Sequence, residues 1–98
     1  MTATNLDFLG KLEDIIIARR TKPAEGSYTA ELFAGGTKRI AQKVGEEAIE
    51  VALAASAGDR RETADEAADL LYHLLVLLAN QGIALSEVVA TLQSRHRP

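Results

Sequence analysis

The stretch from Lys43 to His73 constrains the fold more than any other part of the chain. Glu47 and Glu50 stand three apart before Gly58-Asp59, and Glu66 and Asp69 stand three apart after it. If both flanks are helical and the chain reverses at Gly58, the pairs meet. Positions 47 and 69, 50 and 66, and also 43 and 73, all centre on residue 58. At a rise of about 1.5 Å per residue the carboxylate levels lie about 12–17 Å from the turn. The stretch therefore predicts an antiparallel helical hairpin.

Local signals support both arms. A helix from Thr37 to Ala57 places Ile40, Val44, Val51 and Ala55 along one side, with Ile49 and Leu53 on a neighbouring one. Gly45 inside it costs up to about 1 kcal/mol, which points to close approach by a partner element or a ligand, crowding being the favoured reason. Gly58 suits a left-handed closing position, and Asp59 followed by Glu62 resembles a capping box. The next helix, Asp59 to about Gln81, carries Leu70, Leu71, Leu74, Leu75, Val76, Leu77 and Leu78 round most of its circumference. A helix apolar on all sides must be covered on all sides, so a homodimer is expected.

Upstream, Thr4 to Arg20 reads as a helix capped by Thr4, with Leu6, Leu9, Leu12, Ile15 and Ile16 along one side. Lys22 to Thr29, broken by Pro23 and Gly26, reads as a loop, and Thr29 to Ala34 as a short helix closed by Gly35-Gly36. Ser86 to Arg97 reads as a last amphipathic helix through Val88, Val89 and Leu92. These elements give one all-α domain over residues 1–98: a helical hairpin at the centre of a small bundle, completed by homodimerisation.

Composition excludes several function classes. The absence of cysteine removes disulfides, thiolate metal sites and thiol nucleophiles, and fits a cytoplasmic location. The longest apolar run, Leu74 to Ala79, is far short of the about 20 residues a bilayer span needs, and no secretory leader is visible. No membrane association is expected. A net charge of −3 argues against nucleic-acid binding, although Lys38, Arg39 and Lys43 form a local positive cluster suited to phosphate.

The hairpin symmetry turns two carboxylate stripes toward each other. Four converging carboxylates repel unless some are protonated or a cation neutralises them. Oxygen-only ligands favour Mg²⁺, with Mn²⁺ as a substitute, and the Glu-x-x-His pairs of di-iron bundles are missing. Solvated faces or a buried ion-pair network are the bland alternatives. A carboxylate-held Mg²⁺ beside lysines and arginine points to phosphoryl or nucleotidyl hydrolysis. No P-loop sequence offers a competing phosphate site.

Glu47-x-x-Glu50, fifteen residues, then Glu66-x-x-Asp69 resembles the metal signature of the MazG-type all-α nucleotide pyrophosphohydrolases. More narrowly, Ser27-Tyr28-Thr29, the run from Ile40 to Glu47 and the run from Glu66 to His73 are similar to the phosphoribosyl-ATP pyrophosphohydrolase family, with likeness from about Leu6 to Leu92. The resemblance implies Mg²⁺-dependent hydrolysis of phosphoribosyl-ATP to phosphoribosyl-AMP and pyrophosphate, the second step of histidine biosynthesis. It also implies a homodimer, with Glu47, Glu50, Glu66 and Asp69 as metal ligands. Many relatives have Lys where this chain has Glu31. Some carry a fused cyclohydrolase domain, so here a separate cyclohydrolase is expected for the next step.

The expected chemistry is in-line attack by metal-activated water at the α–β phosphate linkage. Glu46 is a candidate to orient or deprotonate that water beside Glu47, although it points about 100° away from it. An ion pair between Glu46 and Lys43 is the competing reading. Lys43, with Lys38 and Arg39, is a candidate phosphate contact. Tyr28 is a candidate to stack on the purine, or a loop anchor, and His73 is a candidate substrate contact or a core histidine. The rival functions are a housekeeping nucleoside triphosphate pyrophosphohydrolase using the same four acids, and a non-catalytic helical dimerisation module.

Overall fold

The computed structural model describes residues 3–98, with side chains from Asn5 onward. The helices are α1 (Ala3–Leu6), α2 (Phe8–Thr21), α3 (Tyr28–Ser56), α4 (Arg60–Asn80) and α5 (Leu85–Arg95), and no strand occurs among the described residues. The fold is all-α. Asp7, between α1 and α2, keeps helical backbone angles of −62° and −22°, so the two nearly continue one another. The expected cap at Thr4 lies outside the described side chains.

The hairpin turn forms as its residues dictate. Gly58 adopts φ +73° and Asp59 N–H donates to Ala54 O at 3.1 Å while Gly58 N–H donates to Ala55 O at 3.0 Å, a Schellman closure of α3. Asp59 Oδ1 then accepts from Glu62 N–H at 2.9 Å and opens α4. These interlocking caps satisfy backbone groups that would otherwise face the turn unpaired. They also set the register between the two arms.

An elbow divides α3. Gly36 sits at φ 85°, ψ 176°, a conformation open essentially only to glycine, so Tyr28–Gly35 forms one arm and Thr37–Ser56 another. The expected closure at Gly35-Gly36 is therefore present, within one helix-like span. The first arm runs alongside α4 in the same sense, Tyr28 beside His73, and the second returns from Thr37, whose hydroxyl donates to Asn80 Oδ1 at 2.7 Å. Ser27 opens the first arm by accepting from Ala30 N–H at 3.2 Å.

The core lies where the elbow folds back: Ile16 of α2, Leu32 and Ile40 from the two arms of α3, and Leu75, Val76 and Ala79 of α4. Burying each large aliphatic side chain contributes about 1.5–3 kcal/mol. Arg20 donates a guanidinium hydrogen bond to Ala79 O, and Glu13 Oε2 accepts from Leu85 N–H at 2.6 Å, docking α5 on α2. No single described helix is long and apolar enough to cross a membrane.

Packing within this chain bears on three expectations. Gly45 has nothing within 4 Å of the position its Cβ would take, so no element of this chain crowds it. The close approach is at Gly35, where a Cβ would come within 2.7 Å of Arg39 Cδ. Leu6 and Ile15 are exposed while Leu9 and Leu12 are half-buried and Ile16 is buried, so the inner stripe of α2 is narrower than its apolar content suggested. Ile49 and Leu53 on α3 are 62% and 65% exposed, and Leu71 on α4 is 47% exposed, which leaves an apolar surface uncovered by this chain.

Candidate active site

Glu47 and Asp69, at matching levels of the two arms, come together with Glu66. One carboxylate oxygen from each of Glu47, Glu66 and Asp69 lies within 4.8 Å of the other two. The hairpin register makes this meeting possible: Glu66 and Asp69 are neighbours one turn apart on α4, facing Glu47 across the interface. Glu50 stands outside this trio but borders the same cleft, which Glu50, Leu53, Ala54, Glu62 and Glu66 line over about 270 Å³. A larger depression of about 500 Å³ beside the turn, along Ala55, Thr63 and Ala67, brings no acids together.

The electrostatics of the trio are unresolved without a further charge. Glu47 is buried, and its Oε1 has no hydrogen-bond partner. Glu66 is pushed up to about 7 from 4.5 by desolvation, by the hydrogen bond its protonated form makes with Glu47, and by the negative charges of Glu50, Glu47 and Glu62. Isolated carboxylates crowded out of water accept either protons or a cation. An orphaned buried oxygen among converging hard oxygen ligands fits a divalent cation of the Mg²⁺ class.

Glu62 shares the stripe of Glu66, Asp69 and His73 but is not among the expected metal ligands. It faces Ala54 across the hairpin, since 62 and 54 again centre on 58, and it precedes Glu66 by one turn. That spacing was the available signal.

Lys43 lies at the inner edge of the cluster, its Nζ 3.6 Å from Glu47 Oε2 and 3.4 Å from Glu46 Oε1. Burial opposes its charge, but Tyr28, Glu46 and Glu47 outweigh that and raise its pKa. Glu46 is on the exposed side of α3, where it accepts from Gln42 Nε2 at 3.0 Å. That amide, then Lys43 and Arg39, hold it below the usual carboxylate value. Of the two readings of Glu46, the ion pair with Lys43 is the geometry seen. Arg39 shares the face of Lys43 and Glu46, whereas Lys38 lies on the stripe of Gln42 and Gly45; both are exposed.

His73 is buried, and both its ring nitrogens have partners in the chain. Nδ1 is 2.8 Å from Asp69 O and Nε2 is 2.9 Å from the Tyr28 hydroxyl. A carbonyl only accepts, so Nδ1 carries the hydrogen, and in the neutral ring Nε2 accepts from Tyr28. Tyr72 stacks on Tyr28 with centroids 6.1 Å apart and exchanges a hydroxyl hydrogen bond with Thr29. Tyr28 remains 43% exposed beside Lys43, so it is an anchor and an accessible ring at once. Periodicity along α4 gave no sign of this cluster, because it depends on the elbow at Gly36.

Comparison with known proteins bears on the family of the chain. The family model described as PRA-PH, phosphoribosyl-ATP pyrophosphohydrolase, matches residues 9–96. The chain is 57% identical over 91 residues to the histidine biosynthesis bifunctional protein HisIE of Photobacterium profundum, covering 93% of this chain and 44% of that protein. It is 54% identical over 96 residues to the protein of the same name from Escherichia coli, covering 98% and 47%. For that of Vibrio cholerae the identity is 56% over 90 residues, covering 92% and 43%. The chain thus spans less than half the length of these curated relatives. With nearly all of α2 to α5 inside the matched region and the paired acids at its centre, the chain belongs to the phosphoribosyl-ATP pyrophosphohydrolase family.

Proposed function

We propose that this chain hydrolyses phosphoribosyl-ATP to phosphoribosyl-AMP and pyrophosphate, the second step of histidine biosynthesis, in the cytoplasm. The observation that carries the reading is the convergence of Glu47, Glu66 and Asp69, with one buried oxygen of Glu47 left without a hydrogen-bond partner. Glu47, Glu66 and Asp69 would hold Mg²⁺ or Mn²⁺, with Glu50 completing the set from the cleft wall. When bound, such an ion neutralises charge on the leaving pyrophosphate and makes an attacking water more acidic.

The chain's own residues do the positioning. Water adds to phosphorus at the α–β anhydride, the bridging oxygen leaves with pyrophosphate, and the water proton passes to a nearby carboxylate or to solvent. Glu47, fixed by its burial, is better placed for this than Glu46, which Gln42 and Lys43 engage. Lys43 and Arg39 supply positive charge to phosphate oxygens at the edge of the cluster, with Lys38 farther round the helix. The exposed ring of Tyr28, held by His73, offers a face to the purine.

A homodimer is part of the proposal. Ile49, Leu53 and Leu71 are large apolar side chains that this chain leaves exposed on the hairpin, Leu53 beside Glu50 and Glu66, and a second copy would bury apolar surface of this kind. Sedimentation at micromolar concentration should show a dimer; a stable monomer would refute it.

The deciding experiment measures pyrophosphate release from phosphoribosyl-ATP beside a panel of nucleoside triphosphates, with and without EDTA. The expected result is EDTA-sensitive turnover of phosphoribosyl-ATP. Turnover of the panel alone would support a housekeeping pyrophosphohydrolase, and the absence of any turnover or Mg²⁺ effect would support a non-catalytic module.

A further inference from the structure

Away from the carboxylates, the C-terminal ends of α2 and α4 meet the first arm of α3 around a cavity of about 350 Å³. Arg19, Arg20, Ala30, Phe33, Ala34 and Asn80 line it, and no carboxylate does. Arg20 gives one N–H to Ala79 O, and its guanidinium has further donors. Arg19 is half-buried and has neither an ion-pair nor a side-chain hydrogen-bond partner among the described residues. Asn80 Oδ1 already accepts from Thr37 Oγ1 at 2.7 Å and from Gln81 Nε2 at 3.0 Å, which leaves its Nδ2 as the group available to donate.

The cavity therefore presents donors and no acidic acceptor. Neutralising helix C-terminal carbonyls is the ordinary work of such arginines, and Arg20 performs it. Arg19 shares the last turn of α2 and its dipole role, but no side-chain hydrogen bond engages its guanidinium among the described residues, and the amide of Asn80 has no part in that role. Donors arriving from two helices suit a tetrahedral group with three terminal oxygens better than a planar carboxylate. Phe33, Ala30 and Ala34 add an apolar wall of the kind a sugar ring packs against.

We propose that this cavity binds the phosphate of a small phosphosugar, with Arg19 as its principal contact and Arg20 and Asn80 as supporting donors. The same chemistry can arrive in two ways. One is the ribosyl phosphate of phosphoribosyl-ATP, the end remote from the hydrolysed anhydride; this source rests on the proposed reaction. Asn80 lies eleven residues beyond Asp69 on α4, about 16 Å along the axis, so the cavity is separate from the acids. The other source is an independent phosphosugar. Binding at the cavity does not itself depend on the reaction.

The test titrates the isotope-labelled full chain with ribose 5-phosphate, with ribose and sodium chloride as controls at matched ionic strength, following the Arg19 Nε–H and Asn80 side-chain amide resonances. The expected result is a saturable shift with ribose 5-phosphate alone, weakened about tenfold in Arg19→Gln, the scale of a lost charge-assisted contact. An unchanged melting temperature of that variant excludes misfolding as the cause. No saturable shift, or the same affinity in Arg19→Gln, overturns the proposal. Competition of ribose 5-phosphate against phosphoribosyl-ATP turnover, lost in Arg19→Gln, identifies the substrate as source; saturable binding without competition identifies a separate molecule. A chain that shows the shift yet never hydrolyses phosphoribosyl-ATP refutes the reaction and retains the cavity site.

Discussion

The two ends of the α3–α4 hairpin follow opposite rules. Toward the elbow, Leu32, Ile40, Val76 and Ala79 exclude water, and Tyr28, Thr29, Tyr72 and His73 pair their polar atoms with one another. Toward the turn, Ala54 is the main buried apolar residue, and Glu47, grouped with two further acids, keeps an unsatisfied buried oxygen. One end is arranged for stability. The other holds charges whose repulsion opposes folding, a pattern characteristic of functional sites.

The contrast can be broken first at the elbow end. Leu32→Ala should lower unfolding free energy by about 2–5 kcal/mol, through lost burial and a residual cavity. Denaturant melts would show it, and a loss under 1 kcal/mol would mean that the core near Leu32 collapses to fill the space. At the other end, Glu47→Gln should reduce pyrophosphate release about a hundredfold, as expected for losing a group that holds a catalytic ion. Its melting temperature in EDTA should not fall, because one repelling charge is gone. A variant that loses stability and activity in parallel would erase the proposed division.

A smaller effect is expected at the elbow itself. Gly36→Ala forces a Cβ into a glycine-only backbone region, although the space around it is empty, and should cost about 1–3 kcal/mol. The least effect sharpens the acid end. The Glu66 pKa is raised from 4.5 to about 7, so between those values the folded chain binds more protons than the unfolded one. Stability in EDTA should therefore be greatest below pH 4.5 with respect to this group, and fall as pH rises toward 7. Glu66→Gln should flatten that slope in thermal melts, and an unaltered slope would assign it to other groups. Added Mg²⁺ should bind more tightly as pH rises through the same window, since the ion displaces a proton.

Much of this was legible in the sequence because, once the apolar and acidic stripes select the facing sides of two helices, the register of the hairpin is the main unknown left. The symmetry of Glu47, Glu50, Glu66 and Asp69 about Gly58, with capping residues at the turn, fixed that register, and Glu47 does meet Glu66 and Asp69. The elbow was visible as Gly35-Gly36, but the direction of the fold-back depends on backbone angles at one glycine and on what Leu32 buries against. Tyr28 and His73 therefore could not be paired in advance. Gly45 is a related case: glycine inside a helix signals close approach by a partner element or a ligand, and no element of this chain supplies it.

The hydrogen bond from Leu85 N–H to Glu13 spans 72 residues, whereas the hairpin pairs residues close in sequence across its turn. Loop-closure entropy makes so distant a contact slow to form until intervening chain is ordered. The hairpin is thus the natural early structure in folding, and docking of α5 on α2 a late event. Substitutions near Gly58 and Asp59 should change the folding rate, while loss of the Glu13 carboxylate should act mainly by speeding unfolding.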